Sequence, residues 1–153
     1  MLPLKKILCP TDFSDPSLEA LNVAIELAVH FSSELILIHV VAPIPIIATE
    51  YTSPAAFNVQ EYQQAMEVSA RKSMEEQIEK RIPEGVLVRR MLPLGDPANQ
   101  IVHTAEEEEV DLIVIATRGQ TGIKRLVFGS VAEKVVRLAT RPVLTIRDRH
   151  TEH

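Results

Sequence analysis

Tryptophan is absent, aromatic residues make up 4% of the chain, and one cysteine, Cys9, occurs in 153 residues. Few aromatics argue against stacking platforms for single-stranded nucleic acid. One cysteine excludes an internal disulfide and fits a reducing compartment. Cys9 closes a short apolar run and reads as a small buried hydrophobe rather than a nucleophile. The most apolar stretch, Leu35 to Ala48, is shorter than a membrane span and is interrupted by His39, Pro43 and Pro45. Lys5-Lys6 is followed only by Ile7-Leu8-Cys9 before Pro10 and Asp12, so no signal peptide is expected. These scarcities together predict a soluble, cytoplasmic protein with no nucleic-acid or membrane partner.

Several catalytic and cofactor patterns are missing too. There is no G-x-x-x-x-G-K-[ST] and no G-x-G-x-x-G after the first strand, which argues against an ordinary P-loop ATPase and a dinucleotide oxidoreductase. No Ser/His/Asp set or general base stands out among the five histidines; His39 falls in an apolar strand and His103 on a helix. The acids Glu106 to Glu109 point in different directions on a helix and read as its solvated end, not as a metal site.

What the chain does have is a regular alternation of elements. Its length suits one domain spanning 1–153, and 46% apolar residues suffice for a sizeable core. Lys6 to Cys9 predicts a first strand, ended by Pro10-Thr11-Asp12. Ser14 then caps a helix with Pro16 in its first turn, and Leu18, Leu21, Ile25 and Ala28 share one face. Leu35 to Val41 is a continuous apolar run, as in strands buried on both faces. Ala42 to Asn58 is a long, proline-bearing loop, either a contact surface or an insertion without a role. A helix over roughly Val59 to Arg81 follows, with Tyr62, Met66, Ala70, Met74 and Ile78 as its expected inner stripe. Val86 to Leu92 predicts a third strand. Asp96 and Pro97 start a helix with Ile101, Val102 and Ala105 on its apolar side. Asp111 leads into a fourth strand, Ser130 to Ala139 a fourth helix, and Pro142 to Arg147 a fifth strand. Strands alternating with helices predict a doubly wound parallel sheet with helices on both faces.

The most informative stretch is Asp111 to Val131, DLIVIATRGQTGIKRLVFGSV. A buried strand, a glycine-bearing loop and a helix N-terminus make an anion site. Ser130 reads as the helix N-cap, with Glu133 completing an S-x-x-E capping box. Thr117 to Arg149 holds eight basic residues and two acidic ones in a chain of net charge −5, which suggests a local anionic ligand. Ordinary loop and solvated-helix roles are the alternative. Ligands in such sheets bind beyond the carboxyl ends of the strands, where Pro10-Thr11-Asp12, Val40 and Ala116 to Gly119 converge. Asp12 is placed to accept from ribose hydroxyls or reach a phosphate-bound cation; a turn-forming Asx residue is its alternative.

This stretch resembles the nucleotide-binding signature of the universal stress protein family, G-x2-G-x9-G-[ST]. Gly119 matches the second glycine, Gly129 the third and Ser130 the hydroxyl residue, while Ala116 departs from the first glycine. The opening ILCPTDFS and the segment GSVAEKVVRLATRPVLTIR are similar to the family as well. The resemblance implies a Rossmann-like five-stranded sheet in the order 3-2-1-4-5. It implies that Pro10 and Val40 frame an adenine. The full candidate set for an adenine nucleotide is Pro10, Thr11, Asp12, Val40, Ile115, Ala116, Arg118, Gly119, Gly122, Gly129, Ser130 and Val131. Gly122 fits the loop without belonging to the signature.

The leading reading is an ATP-binding regulatory protein of the stress response, with Mg²⁺ held through the phosphates. A slow ATP-hydrolysing protein and a stress protein that binds no nucleotide are its rivals. Pro142 to Arg147, at a sheet edge in the implied order, is expected to pair with its own copy in a homodimer.

Overall fold

The computed structural model of the chain describes residues 2–44, 58–118 and 128–147. Five parallel strands form one sheet: β1 (Lys6–Pro10), β2 (Glu34–Ile38), β3 (Val88–Met91), β4 (Leu112–Ala116) and β5 (Val143–Ile146). Their order is β3-β2-β1-β4-β5, as expected. Four helices connect them among the described residues: α1 (Asp15–Phe31), α2 (Val59–Arg81), α3 (Pro97–Glu107) and α4 (Ser130–Leu138).

Side chains alternate across each central strand, so one strand supplies two cores. Ile7, Cys9, Leu35, Leu37, Val114 and Ala116 pack with α1 and with Met74 of α2. Leu8, Ile36, Ile38, Ile113 and Ile115 pack with Ala98, Ile101 and Ala105 of α3 and Ala132 and Val135 of α4. Burial on both faces is why β4 is apolar throughout, and β1 and β2 are apolar beyond their first residues, Lys6 and Glu34. Cys9 is fully buried, and burial pushes its thiol up to about 12, as suits an inert core residue.

Local sequence sets most helix ends. The Ser14 Oγ accepts from the Ser17 N–H at 3.4 Å, and Pro16 sits in the first turn of α1. Asn58 caps α2, its Oδ1 accepting from the Glu61 N–H at 3.2 Å. Asp96 caps α3 through the Asn99 N–H at 3.0 Å, with Pro97 first in the helix. That hydrogen bond, followed by the Lys134 ammonium, holds the Asp96 carboxyl below its ordinary range. Gly95 lies at φ +147, and a Cβ there would come within 2.9 Å of the Gln100 side chain.

Three expectations need correction. The inner stripe of α2 holds only over its second half: Ala70 and Met74 are buried, whereas Tyr62 and Met66 are 47% and 48% exposed. A helix of 23 residues is about 35 Å long, and a strand of five residues covers about 17 Å. With its second half on the sheet, α2 must overhang. The third strand is shorter than expected, Val88–Met91. The N-cap of α4 is Gly129 (φ −71, ψ 163), not Ser130, which is the first helical residue. The capping box is therefore not formed, and the Glu133 carboxylate instead accepts from Arg137 at 3.1 Å.

Candidate functional site

The connections from β1 and from β4 run to opposite sides of the sheet, which puts the topological switch point between these two neighbours. A cavity of about 500 Å³ opens at their carboxyl ends. Ile38, Val40, Ile101, Ile115 and Val131 supply apolar lining; Thr11, Asp12, His39, Thr117, Arg118 and Ser130 supply polar groups. Pro10, Ala116 and Gly129 complete the convergence of the expected residues. Two members of the candidate set, Gly119 and Gly122, lie outside the described residues, as do most of the 42–58 loop and the tail from 148.

The turn after β1 is built from hydroxyls. The Thr11 Oγ1 accepts from the Phe13 N–H at 3.1 Å and lies 3.1 Å from the Ser17 Oγ. The Ser17 hydroxyl donates to the Ser14 carbonyl at 2.8 Å, so the Thr11 proton goes to Ser17. The Asp12 Oδ1 accepts from the Ser14 N–H at 3.0 Å and from the Ser14 hydroxyl. The Asx-turn role of Asp12 is thus realised while the residue also lines the cavity. Phe13 adopts a left-handed φ of 65°, uncommon for a bulky residue. Its ring lies 4.6 Å from that of His39, centroid to centroid.

The other wall is the start of α4. The N–H of Gly129 donates to the Thr117 carbonyl, which draws residues 117 and 129 together across the loop between them. The first intrahelical bond runs from the Glu133 N–H to the Gly129 carbonyl at 3.0 Å, and no side chain caps the helix. Its first-turn N–H groups are orphans by construction, and Ser130, Val131 and Ala132 line the cavity. The failed capping box is what an anion site needs: a helix N-terminus whose donors are not taken by a side chain.

The positive charge of the segment is spread more widely than its sequence suggests. Lys134 pairs with Asp96 at 3.0 Å and Arg137 with Glu133 at 3.1 Å. Lys124, Arg125 and Arg149 lie outside the described residues. Arg118 is, among the described residues, the Lys or Arg that lines the cavity. Among the described residues, no group of three or more His, Cys, Asp or Glu is placed to hold a metal ion, and no helix is long and apolar enough to cross a membrane.

Three polar lining residues, Ser17, His39 and Thr117, were not expected from the sequence. His39 looked like part of a buried strand, but β2 ends at Ile38 and His39 falls just beyond it, half-buried. Thr117 follows β4 and continues its alternation. The usable signal was strand parity: one residue past a strand's carboxyl end is where an α/β ligand lies.

Comparison with known proteins accords with this geometry. A profile of the Universal stress protein family matches residues 3–147. Universal stress protein MJ0531 of Methanocaldococcus jannaschii is 38% identical, over 94% of this chain and 82% of that protein. Universal stress protein YxiE of Bacillus subtilis is 34% identical, over 93% and 98%. The solved structure of the hypothetical protein MJ0577 superposes with a TM-score of 0.83 at 30% identity, covering 97% of this chain and 99% of that one. The chain belongs to the universal stress protein family.

Proposed function

We propose that this protein binds an adenine nucleotide, ATP with Mg²⁺ held through its phosphates, and regulates the stress response through ligand-dependent protein contacts. The observation that carries the reading is the 500 Å³ cavity at the switch point, walled by the uncapped first turn of α4. Its size and its mixture of apolar lining with a few polar groups suit a small-molecule ligand. In this reading Pro10 and Val40 frame the adenine and Asp12 addresses the ribose. Arg118, Gly129 and Ser130 receive the phosphates, with Gly119 and Gly122 completing the loop. Two solved universal stress proteins are in complex with cAMP and with dAMP; each is 23% identical to this chain and speaks to its fold. The protein acts as one nucleotide-binding domain in the cytoplasm, and as a homodimer through β5.

The first test is the small molecule released when purified protein is denatured: a stoichiometric adenine nucleotide supports the reading. For nucleotide-free protein, ATP with Mg²⁺ at a hundredfold excess over its dissociation constant should add about 2.7 kcal/mol of apparent stability. Gly129 has backbone angles open to any residue. Gly129→Val should therefore fold, fill the approach to α4 and abolish the rise. An unchanged melting temperature of the wild type in millimolar ATP or AMP would refute the proposal.

A further inference from the structure

Thr117 stands just past β4, yet it keeps the extended register: its N–H donates to the Ile146 carbonyl at 2.9 Å. Leu112, Val114 and Ala116 face the core under α1 and α2, whereas Ile113 and Ile115 face the core under α3 and α4. Thr117 shares the parity of Ile113 and Ile115, so it faces the side on which α4 begins. It is 4% exposed and lines the cavity. Among the described residues, its Oγ1 is the buried side-chain polar atom without a hydrogen-bond partner.

A buried hydroxyl left unbonded is destabilising, and native structures seldom tolerate one without a reason. The hydroxyl of Thr11 offers a contrast within the same cavity, because its proton is engaged by Ser17. The Thr117 carbonyl, by accepting from Gly129, seats the residue beside the uncapped first turn of α4. We infer that Thr117 is a ligand-binding residue whose hydroxyl donates to a phosphoryl oxygen of the nucleotide held at that turn. The inference rests on the adenine-nucleotide reading above. It goes further in assigning phosphate recognition to a residue at an unspecified position of the glycine signature, between Ala116 and Gly119. The chain then carries an unsatisfied group in the unliganded state that its ligand satisfies.

The test compares wild type, Thr117→Val and Thr117→Ser, nucleotide-free, by thermal melting and by titration with AMP and with adenosine. Valine copies the shape of threonine and removes the hydroxyl. Unliganded Thr117→Val should melt about 2–4 °C higher than wild type, since an unbonded buried hydroxyl is gone. It should nevertheless bind AMP roughly five- to tenfold more weakly, the loss expected for one hydrogen bond to a charged group. Its adenosine affinity should stay at the wild-type level, and Thr117→Ser should bind AMP as wild type does. A lower melting point for unliganded Thr117→Val would mean that the hydroxyl is already bonded within the protein, and would overturn the inference. Equal losses for AMP and adenosine would overturn the phosphoryl assignment. If wild type and Thr117→Val bind AMP equally, the inference alone fails; if wild type binds neither ligand, the nucleotide reading fails and takes the inference with it.

Discussion

The Nδ1 of His39 lies 2.8 Å from the backbone carbonyl oxygen of Thr11. A carbonyl only accepts, so Nδ1 carries the hydrogen, and the ring ties the end of β2 to the turn after β1. The same ring packs on Phe13, whose left-handed backbone needs holding in place. His39→Ala should cost about 1–2.5 kcal/mol, from one hydrogen bond and one ring contact. His39→Asn can place an amide N–H where Nδ1 stands and should lose markedly less. Urea unfolding of the three proteins checks this. An alanine variant as stable as wild type would mean that the tie contributes nothing.

Ala116 occupies the position of the family's first glycine, where a side chain could obstruct the site. It ends β4, pairs with Ile146 and is 7% exposed, so its backbone is extended and alanine fits without strain. Ala116→Gly should therefore cost about 1–2 kcal/mol, from chain entropy and a lost buried methyl. It should change nucleotide affinity by less than about tenfold, or 1.4 kcal/mol. Isothermal titration of both proteins with AMP decides, and a much larger gain in affinity would show that the methyl crowds the ligand.

At the opposite end of the sheet, the Asp111 carboxylate accepts from the N–H groups of Lys5 and Lys6 at 2.7 and 2.9 Å. Burial acts to raise its pKa, but these two backbone hydrogen bonds, joined by nearby positive charge including that of Lys5, leave the group below its ordinary value. A depressed carboxyl pKa contributes stability that is present above the unfolded-chain value, about 4, and lost as pH falls through the folded value. Asp111→Asn should cost about 1–2 kcal/mol at pH 7 and flatten the fall in stability between pH 5 and 2. Glu108, whose hydrogen bond to Arg89 outweighs its own burial, leaves part of that slope in place. Urea midpoints across this range are the measurement; an unchanged pH slope in the variant would remove Asp111 from the account.

The two edges of the sheet differ in a way that favours one interface. On β3, Arg89 binds Glu34 and Glu108, and Arg90 binds Glu75 at 3.0 Å, so charge protects that edge. The β5 strand, VLTI, carries no charge, and Leu144 is 37% exposed. Antiparallel pairing of β5 with its copy would satisfy both edges under two-fold symmetry. Sedimentation at micromolar concentration should give about twice the 17.1 kDa chain mass, and Leu144→Pro should shift the protein towards monomer. A wild-type mass near 17 kDa would refute the dimer. A dimer that survives Leu144→Pro would place the interface elsewhere.

Periodicity and punctuation determined the element order. Runs such as Leu112 to Ala116, short and bounded by polar residues, read as strands buried on both faces. Ser14 with Pro16, and Asp96 with Pro97, announce helices through interactions confined to a few neighbouring residues. The convergence of Pro10 to Asp12, Val40 and Ala116 followed from that order alone, because parallel crossovers bring strand ends to one side. Tertiary structure decided what depends on distance between elements. It showed where α2 outruns the sheet and leaves Tyr62 and Met66 exposed. It made Gly129 rather than Ser130 the cap of α4, because the chain is already turning into the helix once Gly129 has bonded back to Thr117. It also settled which hydroxyls at the cavity are bonded: Thr11 and Ser17 find each other across a turn, and Thr117 finds no partner. A sequence records that a residue has a hydroxyl; whether a partner stands within 3.5 Å of it is a property of the packed chain.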